Sequence, residues 1–163
     1  MKKKLWRRGK TLNGIAIGEE YRAVAPKGEW IQKTKDFMVC VSDFAYTDHT
    51  PLQGPDADNK FVTFTIKIFC WNKRGVFVNA SSVSIIDLDG VIKNYDSETY
   101  RYDIHPLYEY ISPLLGESIM PEGVIIRTAI FQIRKNQGPW KVVYRDFDSG
   151  QKVVVDLLRA PDL

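Results

Sequence analysis

From about residue 30 onward, apolar positions recur at every second residue, in short runs broken by Gly, Pro, Asn and Asp. The clearest run is "KFVTFTIKIFCW". Val62, Phe64, Ile66, Ile68 and Cys70 fall on one side of an extended chain, and Thr63, Thr65 and Lys67 on the other. A period of two marks a half-buried β-strand, because successive side chains point to opposite faces of the pleat. By the same criterion "WIQKTKDFMVCVSDF" holds one strand or a pair, and "VFVNASSVSIIDL" and "VIKNY" hold more. "GVIIRTAIFQIRK" is a long strand, and "WKVVYRDF" and "KVVVDLL" form a closing hairpin around Asp148-Ser149-Gly150. Roughly seven to nine strands with no long amphipathic helix between them predict an all-β chain, an antiparallel sandwich or barrel. The expected core includes Val62, Phe64, Ile66, Ile68, Ile85, Ile130, Phe131 and Val143.

Two segments break the rhythm. "SDFAYTDHTPLQGPDADNK" (42–60) is a polar loop, and "NYDSETYRYDIHPLYEYISPLLGES" (94–118) is rich in tyrosine, with room for a short helical turn around 107–111. Irregular segments of this length are where binding residues concentrate. Tyrosine offers a large contact area with a polar handle. Tyr100, Arg101, Tyr102, Tyr108 and Tyr110 are therefore the candidate binding residues. The competing reading has these rings cap the open end of the sandwich.

Composition changes the picture little and charge changes it more. The 163 residues, 44% hydrophobic and 26% charged, suit one soluble globular domain. Six of the 23 basic groups lie within the first ten residues, which hold no acid, so residues 11–163 carry 17 basic against 20 acidic groups. The chain thus divides into a basic tail and lead-in, 1–29, and a β domain, 30–163. Such a tail attracts nucleic acid or anionic lipid. The folded body offers no matching basic surface, so no specific nucleic acid is expected. After "MKKKLW" comes "RRGKTLNGIAIGEEY", without the apolar run of a signal peptide, and no stretch approaches a membrane span.

The stretch "SIIDLDGVIKN" (84–94) carries the strongest suggestion of chemistry. Asp87-Leu88-Asp89-Gly90 matches the phosphatase motif of the haloacid-dehalogenase superfamily, where one Asp attacks phosphorus and the other protonates the leaving group. That chemistry needs a doubly wound parallel sheet, a downstream Lys and a further acidic pair, and the later strands lack the helix alternation for it. The same letters describe a hairpin with Asp89-Gly90 at the turn and Ile85 facing the core. An EF-hand loop is excluded by spacing, since Gly90 follows Asp87 too soon. Asp43, Asp48, Asp56, Asp58 and Asn59 could offer oxygens to a hard cation, but solvated loop acids are much the commoner explanation. His49 and His105 lie in loops, and no nucleophile elbow is present. Cys40 and Cys70 are either two buried thiols or one bridge between strands. No catalytic residue, metal or cofactor is expected.

"FVTFTIKIFCWNKRG", ending its strand at Asn72, is followed by "VSIIDLDGVIKNY", then "MPEGVIIRTAIFQI" with its turn and Phe131, then "WKVVYRD". In this order the chain, from roughly 30 to 148, resembles a bacterial family of immunoglobulin-like domains of unknown function. They occur in lipoproteins and secreted proteins, and are sometimes labelled telomeric-repeat-binding-factor-like. Their fold is similar to that of the mycobacterial immunoprotective extracellular protein. Arg127 departs from the family pattern, which commonly has Gly there. The resemblance implies an antiparallel immunoglobulin-like β-sandwich with no established catalytic residues. It also implies a non-enzymatic interaction module at the cell envelope or outside the cell, with a protein or other envelope component as partner.

Overall fold

The computed structural model describes residues 10–12, 15–17, 25–47, 56, 58–94 and 116–162. The alternation that defines "KFVTFTIKIFCW" becomes the central strand of the first sheet. In chain order the strands are β1 (Lys10–Leu12), β2 (Ile15–Ile17), β3 (Glu29–Lys33), β4 (Phe37–Thr47), β5 (Asn59–Cys70) and β6 (Val76–Asn79). After a 3-10 turn over Ala80–Ser82 come β7 (Val83–Asp87), β8 (Ile92–Asn94), β9 (Gly116–Ile119), β10 (Val124–Arg134), β11 (Pro139–Arg145) and β12 (Lys152–Asp156). Every pairing is antiparallel. One sheet runs β10-β5-β4-β3, a second runs β12-β11-β7-β8, and two ribbons pair β1 with β2 and β6 with β9. There is no α-helix among the described residues.

Strands outnumber the expectation for two reasons. A hairpin, β1 and β2, lies in the stretch read as a basic lead-in, and β9 lies in the stretch read as irregular. Neither is legible locally: β9 is "GESI", four residues with a single buried side chain, and its partner β6 lies some 40 residues upstream.

The two four-stranded sheets share one core. Phe37, Val39, Val41, Phe64, Ile66 and Ile68 from the first meet Val83, Ile85, Val142, Tyr144, Val153 and Val155 from the second. Burying each such side chain contributes about 1.5–3 kcal/mol, which offsets the entropy of ordering the strands. All eight expected core residues are buried. Two of them sit elsewhere than in the central cluster. Ile130 and Phe131 are neighbours on one strand and so face opposite ways: Phe131 stacks on Phe64 at 6.0 Å, whereas Ile130 packs outside with Phe61 and Ala80. Val142, not Val143, enters the main core, and Val143 lies on the outward face.

A bulge in β4 resets the alternation. Its register against β5 shifts between Ser42 and Ala45, and Asp43 takes a φ of 57°. Without the extra residue the odd-numbered series of Val39 and Val41 would continue inward, placing Asp43 in the core. With it, Phe44 turns inward, edge-on to Trp30 at 6.0 Å and stacked on Phe64 at 5.0 Å.

Both cysteines are free and buried. Cys40 pairs in register with Lys67 and Cys70 with Phe37, an odd offset along the sheet that puts the two thiols on opposite faces. Of the two readings open from the sequence, the buried thiols stand, and burial pushes both thiol pKa values up.

Candidate functional site

The Asp87 turn comes first because its letters suggest an active site. Gly90 N–H donates to the Asp87 carbonyl at 2.9 Å and Asp87 N–H to the Val91 carbonyl at 3.0 Å. Leu88 and Asp89 are therefore the central residues, and Gly90, at φ 83°, is the left-handed residue that follows them. This corrects the expected two-residue Asp89-Gly90 turn. The Asp87 side chain is fully buried, and its Oδ1 accepts from the N–H groups of Asp89 and Val91, both at 2.9 Å. Leu88 inserts into the core beside it. A carboxylate that holds the loop together in this way presents no exposed oxygen to a phosphate, and the sheet around it is antiparallel, not doubly wound.

The second sheet closes its other hairpin by the same device. Asp146 is buried; its Oδ2 accepts from Ser149 N–H at 3.1 Å and from the Ser149 hydroxyl at 2.5 Å. Gly150, at φ 75°, then returns the chain, its N–H donating to the Asp146 carbonyl at 2.8 Å. Sequence reasoning missed this role. The available signal is an Asp at the end of a strand with a Gly three or four residues later, repeated at Asp87 and Asp146.

Beside the Asp146 turn lies a groove of about 810 Å³, lined among others by Asn72, Arg74, Phe77, Met120, Asp146 and Asp148. The connection after β5 and the turn before β10 form it, joined where Cys70 N–H donates to the Gly123 carbonyl at 3.0 Å. Phe77 and Met120 are 56% and 72% exposed, and Trp71 and Val124 stand out from the same end of the molecule. Arg127 belongs to this end as well. Its Nε donates to Glu117 Oε2 at 2.6 Å, tying β10 to the β6–β9 ribbon. Arg127 thus anchors β9, whose Ser118 and Ile119 line the groove.

Tyr100, Arg101, Tyr102, Tyr108 and Tyr110 lie outside the described residues, as do His49, Asp48 and His105. Of the loop acids, Asp43, Asp56 and Asp58 are described, Asp43 and Asp58 at positive φ. No group of three His, Cys, Asp or Glu residues able to hold a metal occurs among the described residues. No helix among them is long and apolar enough to cross a membrane.

No family model matches the chain, and no curated protein does. The fold does have likenesses among solved structures. One is a candidate lipoprotein (ycdA) of Bacillus subtilis, at TM-score 0.59 and 13% identity, covering 78% of this chain. This chain spans 38% of that protein's length. Another is the yjhA protein of Bacillus subtilis, at TM-score 0.51 and 10% identity, covering 77% of this chain and 94% of that one. At such identities the likeness concerns the fold alone.

Proposed function

We propose that this chain is a non-enzymatic binding module, an immunoglobulin-like β-sandwich acting at a bacterial cell envelope. The observation that carries the reading is the apolar end. Trp71, Phe77, Met120 and Val124 are each more than two-fifths exposed, on or next to the β5–β6 and β9–β10 connections, which a Cys70–Gly123 backbone hydrogen bond joins. Soluble domains rarely leave apolar groups gathered in this way unless a partner covers them. Phe77 and Met120 border a groove that also holds Asn72, Arg74, Asp146 and Asp148, and apolar walls with a few polar groups are the usual composition of a recognition surface. The candidate lipoprotein of similar fold supports the envelope setting. The tyrosine segment, with Tyr100, Arg101, Tyr102, Tyr108 and Tyr110, supplies further contacts with the partner.

Site-specific photo-crosslinking in the native host tests this. A crosslinking side chain at Trp71 or Tyr102 is expected to capture one defined partner, and capture from Trp71 disappears in the Phe77→Ser/Met120→Ser double variant. Absence of a defined partner from both positions in a folded protein overturns the reading. So does turnover of a phosphate ester with Mg²⁺ that is lost in Asp87→Asn.

A further inference from the structure

A second groove, of about 380 Å³, lies on the outward face of the β12-β11-β7-β8 sheet. The alternation that sends Val142 into the core leaves Val143 in its floor, next to Ile86. Ile92 and Phe147, 61% and 60% exposed, stand at its sides. At one end, the hairpin register sets Arg145 directly opposite Lys152.

That pairing is unusual in its charge. Like charges opposite one another on a sheet repel and destabilise the pair. Further along the same two strands the register balances charge, with Lys141 opposite Asp156. At Arg145 and Lys152 it does not: among the described residues neither forms an ion pair and no acid lines the groove. An anion placed between the guanidinium and the ammonium turns this repulsion into two charge-assisted hydrogen bonds. The volume of about 380 Å³ falls in the range of small-molecule sites.

We propose that this groove binds a small anionic amphiphile. A single carboxylate or phosphate head sits between Arg145 and Lys152, and its alkyl tail runs along Ile86, Ile92 and Phe147. The two grooves share no lining residue, although both reach the turn between β11 and β12, and this site stands whether or not the end groove binds a protein.

Calorimetric titration of the full chain with octyl phosphate, kept below its micelle concentration, tests it. Saturable one-to-one binding is expected, at least about tenfold tighter than inorganic phosphate, with none for octyltrimethylammonium. Arg145→Gln/Lys152→Gln weakens binding by about tenfold or more, while Phe77→Ser/Met120→Ser leaves it unchanged. Lys152→Glu abolishes binding and raises the thermal midpoint, because it replaces a repulsive pair with an attractive one. That rise separates loss of the site from loss of the fold. The proposal is overturned if octyl phosphate does not bind at millimolar concentration, or binds no better than phosphate. It is equally overturned if the Gln double variant binds as well as the native chain, or if only anionic vesicles bind and the monomeric amphiphile does not.

Discussion

Arg134, the last residue of β10, donates to Asp89 Oδ2 at 2.6 Å and stands 3.8 Å from the buried Oδ2 of Asp87. One guanidinium from the first sheet thus closes over the turn of the second. Among the described residues Asp87 Oδ2 has no hydrogen-bond partner, and Arg134 is the cation that faces it.

The three side chains should therefore differ in weight. Asp87→Ala removes the acceptor for two backbone N–H groups in a buried turn and should cost roughly 1–3 kcal/mol. Arg134→Gln, at a half-exposed position, should cost about 1 kcal/mol, and Asp89→Asn less. Asp87→Asn keeps Oδ1 and should fall below Asp87→Ala. Urea unfolding measures all four. A loss for Asp89→Asn as large as that for Asp87→Ala would mean that the turn is not held by the buried carboxylate.

Two glycines separate backbone strain from crowding. Gly90 is at φ 83° with open space where a Cβ would stand, so Gly90→Ala should cost about 1–2 kcal/mol from conformation alone. Gly75, at φ 71°, would place a Cβ 2.5 Å from the Ile119 carbonyl, in the connection that shapes the end groove. Gly75→Ala should add overpacking to strain and lose roughly 2–4 kcal/mol. Equal shifts in the urea midpoint would contradict this ordering.

The segment after β12 latches onto β3 and sets an acid response. Asp162 accepts from Ile31 N–H at 2.6 Å and from Arg159 at 3.0 Å, and Trp30 Nε1 donates to the Arg159 carbonyl at 2.9 Å. The Arg159 hydrogen bond first, then that from Ile31, holds the Asp162 carboxyl below the usual aspartate range. A depressed folded-state value means that this stability is present above the ordinary aspartate pKa and fades as pH falls through and below it. The side chain is 38% exposed, so solvent keeps the contribution small. Asp162→Asn should lower the urea midpoint at pH 7, and the gap from the native chain should close as pH drops toward 2. A gap that stays constant across that range would sink the assignment.

How much of this was legible beforehand follows from what is local. A period of two in the side chains is a property of one strand, so the core face of β5 could be read from "KFVTFTIKIFCW" alone. Positive φ is a property of one residue, so Gly90 could be assigned to a turn, though the turn itself is centred one residue earlier. The two hairpins of the second sheet were visible for the same reason.

What only the tertiary structure decided involves partners distant in sequence. The sequence places Asp87 at the end of a strand, but that its carboxylate is buried and faces Arg134, 47 residues away along the chain, is a tertiary fact. The β4 bulge that turns Phe44 inward depends on register against β5, and β9 exists as a strand because β6 is there to pair with it. The end groove joins residues near 72–77 with others near 118–121 and 146–149. The repulsive Arg145–Lys152 pair arises from the exact length of a turn. Alternation and turn chemistry are written in neighbouring residues. Which strand lies beside which depends on burial gained across the whole chain, and the surfaces available for binding follow from that choice.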